Sequence, residues 1–390
     1  MSTIEIEPIY TESQLKALAL VIYIPTTLSL IGSSSIIYSV LSSFQKRSRS
    51  KTYDRIMLGL SCMEAVCALG LLVFGSWAVP KEASSMAYGA RGTTATCAVA
   101  GVFAHILFGT MMYTAMLALY FCLRVRFQLT EDFIAHRIEP FLHLFPVMMV
   151  VVFSVIGLAG GYFNPLDRVS GLCWFKDYPP DCTTDPDVDC IRGENHTGIA
   201  RIAASGAIFL AFLIIIICMA LLLFQIMALE HRLRRYAHGA NSTTQWKRSQ
   251  EVGKQALQYI GFFFLCGVWP VVGQIVIPPA ELEYNNINFP IALMTKLMTP
   301  MQGLFNAIIF WNRRWSEAKR FTSSGRTAAS SAAKTTVVRK QVDEQDPTQA
   351  LEDTIATGDP KRTGTDDPES RHEEAWDPKN DEADSFHDEE

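Results

Sequence analysis

Seven separate stretches of this chain are apolar over about 20 residues or more, the length a helix needs to cross about 30 Å of hydrocarbon at about 1.5 Å per residue. They run over residues 17–41, 57–79, 95–123, 144–163, 202–229, 255–280 and 288–311. Ionisable groups are almost absent from them: Glu64 in the second, His105 in the third and Lys296 in the seventh. In lipid every backbone N–H and C=O must be paired within its own segment, so such stretches read as helices. The ten-residue alternating strands of a membrane barrel do not occur. The expected fold is therefore an all-α membrane protein, a seven-transmembrane helix bundle.

Charge orients the bundle, because short cytoplasmic loops collect Lys and Arg. The connection 41–56 holds Lys46, Arg47, Arg49, Lys51 and Arg55, and 124–143 holds Arg124, Arg126 and Arg137. The connection 230–254 holds Arg232, Arg234, Arg235, Lys247, Arg248 and Lys254, and Arg313, Arg314, Lys319 and Arg320 follow the seventh stretch. The alternate connections are poorer in basic residues. The expectation is residues 1–16 outside as a short extracellular segment and the bundle at 17–312, in the plasma membrane. From 313 to 321 a short interfacial eighth helix is expected, with Trp311, Trp315, Ala318 and Phe321 at three- and four-residue spacing. The remainder, 322–390, lacks apolar periodicity. From 321 onward the chain carries 8 Lys+Arg against 18 Asp+Glu, so it reads as a disordered acidic cytoplasmic tail. No basic segment precedes the first stretch, which argues against a cleaved leader.

Nine cysteines are present. Cys97 falls at the outer end of the third stretch, and Cys173, Cys182 and Cys190 fall in the outer connection after the fourth, on the side where disulfides persist. Four cysteines allow three connectivities. Cys97–Cys173, tying the loop across the mouth of the bundle, with Cys182–Cys190 closing a subloop, is the favoured one. The alternative leaves Cys97 free. Asn195 begins a glycosylation sequon in the same outer loop, and Asn241 begins a second that this orientation keeps inside and bare.

An ionisable side chain in hydrocarbon costs about 2.5–3.5 kcal/mol on insertion scales, so it faces a partner or a cavity. Counting from the basic inner edges at about 1.5 Å per residue puts Lys296, His105, Trp269 and Gln274 at about 22–30 Å. These four are the candidate ligand contacts of one outer cavity. The competing readings are a helix–helix hydrogen bond for His105 and snorkelling to the headgroups for Lys296. Glu64 and Asn306 lie lower, at about 10–14 Å, and read as a switch layer with Gln302 and the kink at Pro300; a direct Lys296–Glu64 pair is not expected. The cluster Arg232, Arg234, Arg235, Lys247 and Arg248 is the candidate face for a cytoplasmic partner, though topology alone accounts for such charge.

These features together resemble a G-protein-coupled receptor. The run Pro300-Met301-Gln302-Gly303-Leu304-Phe305-Asn306-Ala307 resembles the Q-G-F-F-N-type seventh span of the family 2 group, the cyclic-AMP-receptor-like and secretin-like receptors. Cys173-Trp174 resembles the Cys-Trp of their second outer loop. Tyr53-Asp54-Arg55-Ile56-Met57-Leu58-Gly59-Leu60-Ser61 followed by Glu64, Arg91–Cys97 and Ile138-Glu139-Pro140 are similar to receptor-like proteins of algal protists. There are departures. The Asp/Glu-Arg-Tyr triplet of rhodopsin-like receptors is missing, the chain reading Tyr120-Phe121-Cys122-Leu123-Arg124, and their N-P-x-x-Y becomes Asn306-Ala307-Ile308-Ile309-Phe310. About 16 residues precede the first stretch, too few for a hormone-gripping ectodomain. The resemblance implies a receptor, not an enzyme. It would transduce a small, polar or anionic extracellular ligand to a heterotrimeric G protein by exchange between two packings. No cofactor, metal or nucleic acid is implied. The alternatives are a retinal-binding photoreceptor, suggested by a lysine in the seventh stretch, and a channel or transporter.

Overall fold

The computed structural model describes residues 10–46, 51–166, 170–179, 182, 188–193, 197–236, 240–275 and 285–316, with side-chain detail outside 46, 226, 229–252, 256 and 273–288. Six of the described helices are long and apolar enough to cross a membrane. The seventh crossing segment is broken in two, and the fold is a seven-transmembrane bundle. The unit Arg320–Glu390, which contains the whole of the expected tail at 322–390, lies outside the described residues.

Span one begins earlier than its apolar run. Helix Glu12–Val21 starts from a capping box, in which the Thr11 hydroxyl accepts from the Gln14 N–H and the Gln14 side chain accepts from the Thr11 N–H. One turn residue, Ile22, joins it to Tyr23–Lys46. Span two is Thr52–Phe74, ended by Gly75 at φ 27°. Span three, Thr94–Val125, is the axis of the bundle: 78% of its apolar window is buried, against 50% or less in the other five long helices. The apolar side chains left exposed, such as Ile24, Ile31, Val155, Phe209 and Phe224, form the lipid-facing exterior.

Span four is Glu139–Ala159, entered through a wide π turn at Ile134–Ile138. The expected continuation to 163 does not occur. Gly160 and Gly161 end the helix, Gly161 at φ 65°, a conformation open to glycine without Cβ strain. The chain then enters a short antiparallel hairpin, β1 (Phe163–Pro165) on β2 (Cys173–Phe175), in the register Phe163 to Phe175 and Pro165 to Cys173. The Phe163 ring packs where added Cβ atoms on Gly101 and Gly157 would come within 2.5 Å of it, so both glycines make room for the hairpin. Disulfides join Cys97 to Cys173 and Cys182 to Cys190.

Span five, Thr197–Tyr236, and span six, Ala240–Ile275, run on as helix through most of the stretch 230–254 that read as a loop. That stretch holds no proline, and a helix beyond hydrocarbon needs no apolar residues to continue. Span seven is Asn285–Met298, then a 3-10 turn at Thr299–Met301, then helix over 302–316. Pro300 cannot donate the helical N–H, and the tighter turn absorbs the break. No new helix begins at 313: Arg313, Arg314 and Trp315 continue span seven, and 317–321 lie outside the described residues.

Candidate functional site

The interior face of span seven carries Lys296, Thr299, Gln302, Gly303 and Asn306 at three- to four-residue spacing. Each is buried. Four of these positions are tied to neighbouring helices. The Thr299 hydroxyl donates to the Cys266 carbonyl of span six at 3.3 Å. Gln302 Nε2 donates to Thr114 Oγ1 of span three at 2.8 Å. Asn306 Nδ2 donates to Glu64 Oε1 of span two at 2.5 Å, and Ser33 of span one donates to Glu64 Oε2 at 3.0 Å. At Gly303 an added Cβ would stand 2.3 Å from Ser29 Oγ and 3.1 Å from Glu64 Oε2, so the missing side chain is what admits the serines and the carboxyl. Glu64 thus joins spans one, two and seven from a buried position. Beside it lies a cavity of about 20 Å³, lined by Thr26, Ser29, Thr110, Gln302 and apolar Leu71 and Leu107, with room for about one water.

At the end of the bundle remote from the disulfides, a second cluster closes the helices together. The hydroxyls of Tyr53 in span two and Tyr259 in span six are 2.7 Å apart, and Gln255 Nε2 donates to Tyr53 at 2.9 Å. The Arg313 guanidinium stands 4.0 Å from the Tyr53 ring centroid, and Phe121 of span three packs on both tyrosine rings. Nearby, Arg55 pairs with Glu139, joining spans two and four, and Glu131 accepts from the Thr52 N–H at 2.8 Å. Arg55, Glu139, Glu131 and Lys51 line an open cavity of about 570 Å³.

At the disulfide end the three described residues of the expected ligand site, His105, Trp269 and Lys296, have different surroundings. His105 is fully buried and committed to aromatic packing. Its ring stacks on Trp174 of β2 at 4.2 Å and meets the edges of Phe175 at 4.6 Å and Phe163 at 5.1 Å. Neither ring nitrogen makes a hydrogen bond of good geometry; the Gly101 carbonyl one turn back is its polar neighbour. Ligand contact by His105 is therefore replaced by packing that seats the hairpin. Trp269 has a buried indole N–H without a hydrogen-bond partner among the described residues. Lys296 is 5% exposed and has no charged partner among the described residues. Beyond the spans, burial pushes the Tyr178 phenol above its ordinary range, and the Glu82 carboxylate acts in the same direction.

Several expected site residues lie outside the described residues: the side chains of Gln274, Arg232, Arg234, Arg235, Lys247 and Arg248, and Asn195 altogether. The sequence reading missed Tyr53, Tyr259 and Gln255 as a unit. Tyr53 and Arg313 stood beside singled-out motifs, but nothing in spacing says that a tyrosine at the start of one apolar run meets another 206 positions later.

No protein-family model matches this chain, and no curated protein does. Among solved structures, the crystal structure of squid rhodopsin aligns with a TM-score of 0.57 at 16% identity, over 78% of this chain and 79% of that one. The likeness is one of fold, and it supports the seven-transmembrane helix-bundle architecture.

Proposed function

We propose that this chain is a G-protein-coupled receptor, with residue 1 outside and residue 390 inside the cell, that passes a small-ligand signal to a heterotrimeric G protein by binding and repacking, without catalysis. One observation carries the reading: one crossing segment, span seven, links a cation without a counter-charge among the described residues, near the disulfide end, to a bonded latch at the opposite end. Beyond Lys296, the residues Thr299, Gln302, Asn306 and Arg313 reach spans six, three, two and two again in turn. A ligand that shifts span seven at Lys296 biases every bond below it, and a ligand shifts a population only by its differential affinity for the two packings. Kinship with the family 2 receptors and the algal-protist group rests on the 300–307 and 53–64 motifs, and placement in the plasma membrane on the loop charges.

The test is nucleotide exchange on co-expressed heterotrimeric G proteins, in membranes, with Arg232, Arg234, Arg235, Lys247 and Arg248 neutralised singly and together. Coupling that falls on neutralisation supports the reading. No exchange with any G-protein class, in parent or variants, overturns it.

A second reading, a retinal photoreceptor, draws on a buried Lys296 in the seventh span and on the fold shared with squid rhodopsin. A protonated Schiff base there needs a counter-carboxylate. Glu64, the carboxyl deepest in the bundle among the described residues, is held instead by Ser33 and Asn306. A visible absorbance band formed on adding retinal to the purified protein, and lost in Lys296→Met, would establish this reading; no band would remove it.

A further inference from the structure

The bond from Thr299 to the Cys266 carbonyl sets the register of spans six and seven. The two helices run antiparallel, and the ring stack of Phe262 on Phe305 at 4.3 Å continues the same pairing toward the far end. One turn in the other direction, three residues after Cys266 and three before Thr299, stand Trp269 and Lys296. They therefore lie at one level on facing helices. Residues three apart share a helix face, so each lies above the residue that makes the inter-helix bond. Both are left unsatisfied: the indole N–H of Trp269 is buried without an acceptor, and Lys296 is buried without a counter-charge among the described residues. A buried donor without an acceptor costs about 1–3 kcal/mol and an unpaired charge more. Elsewhere on span seven the structure avoids that cost by bonding Thr299, Gln302 and Asn306.

We infer that Lys296 and Trp269 form a receptor subsite for a carboxylate, the anionic end of a small organic acid. The inference rests on the receptor reading for its use, and its test reads binding alone. The donor set selects the chemistry. One ammonium offers one positive charge and one indole offers one N–H, which matches the single charge and two oxygens of a carboxylate. A phosphate dianion would bring a second charge with nothing to meet it at this depth. A neutral amide would leave the ammonium uncompensated. Bound carboxylate would join spans six and seven one turn above the Thr299–Cys266 bond, adding a tie that the unliganded bundle lacks.

The experiment uses the full chain in lipid nanodiscs and reads thermal unfolding with alkyl and aryl monocarboxylates, each beside its primary amide and its phosphonate. A ligand that binds the folded form raises the melting temperature in proportion to its occupancy. The expected result is a concentration-dependent rise with at least one carboxylate and none with its amide. Lys296→Met should abolish it, and Trp269→Phe, which keeps the ring bulk, should weaken affinity by roughly 10-fold through the one lost hydrogen bond. Trp269→Phe keeps the proposal testable should Lys296→Met fail to fold. No rise with any carboxylate, an equal rise with amides, or an undiminished rise in both variants overturns the subsite. Carboxylate binding in a protein that never drives nucleotide exchange would sink the receptor reading and leave the subsite standing; exchange without carboxylate binding would do the reverse.

Discussion

The Tyr53–Tyr259 pair gives the sharpest test of the closed packing. Tyr259→Phe removes one hydroxyl from a pair 2.7 Å apart, both residues 2% exposed, and leaves the ring that packs on Phe121. Tyr53 keeps the Gln255 donor at 2.9 Å, so no second partner is orphaned. A neutral buried hydrogen bond contributes about 0.5–1.5 kcal/mol net. If the bond exists only in the closed packing, its loss raises the open population about 2- to 10-fold while that population stays minor. Tyr53→Phe also strips Gln255 of its acceptor, so its effect should be the larger. The double variant should then match Tyr53→Phe alone, because both removals strike one bond. Two assays read this: ligand-free nucleotide exchange on a co-expressed G protein, and spin-label distances between the ends of spans two and six in nanodiscs, which need no partner. Unchanged distances and unchanged basal exchange in both single variants, at parental expression and melting temperature, would refute the latch.

Other consequences follow from the same structure. In glycosylating cells Asn195 should carry sugar and Asn241 none, read by mass spectrometry of the two peptides; the reverse pattern inverts the orientation. Cys97–Cys173 spans 76 positions and Cys182–Cys190 spans 8, so a chain-entropy account gives losses of roughly 4–5 and 2–3 kcal/mol for their serine variants, seen as a larger fall in melting temperature for the first. Gly303→Val places methyl groups where even a Cβ would stand 2.3 Å from Ser29 and 2.5 Å from Ser33. It should cost about 1–3 kcal/mol of thermal stability by forcing spans one and seven apart, with Gly303→Ala milder.

The number and order of the spans were legible because lipid imposes one rule on every crossing segment, and apolar length reports it without tertiary knowledge. That Glu64 and Asn306 share a lower layer was legible for a related reason, since depth follows from residue counting at a fixed rise; their hydrogen bond was not. What depth cannot give is direction around the helix. His105 was placed at about the right level and assigned to a cavity, yet its face of span three meets the hairpin, and the hairpin itself was hidden inside a connection with no strand-length pattern. The ends of spans five and six escaped for the opposite reason. Charge marks where hydrocarbon stops, not where helix stops, so Thr197–Tyr236 outran its apolar run.

Bond satisfaction changes along span seven, and that gradient bears on how a signal would travel. Asn306 and Gln302 are bonded to spans two and three, so moving them means breaking hydrogen bonds already made. Thr299 is bonded too, but to a backbone carbonyl at 3.3 Å, the longest contact of the set. Lys296 has no charged partner to lose among the described residues. The helix is therefore most readily displaced at its Lys296 end, and the 3-10 turn at Thr299–Met301 sits between that end and the anchored part. A hinge formed where Pro300 has already removed a helical hydrogen bond bends at little further cost. A new tie at Lys296 would thus act first on the hinge, and only through it on the Glu64–Asn306 layer and the Tyr53 contact of Arg313. That order places the disulfide end upstream and makes Pro300, rather than any of the bonded residues, the position whose replacement by alanine should uncouple the two ends without breaking either.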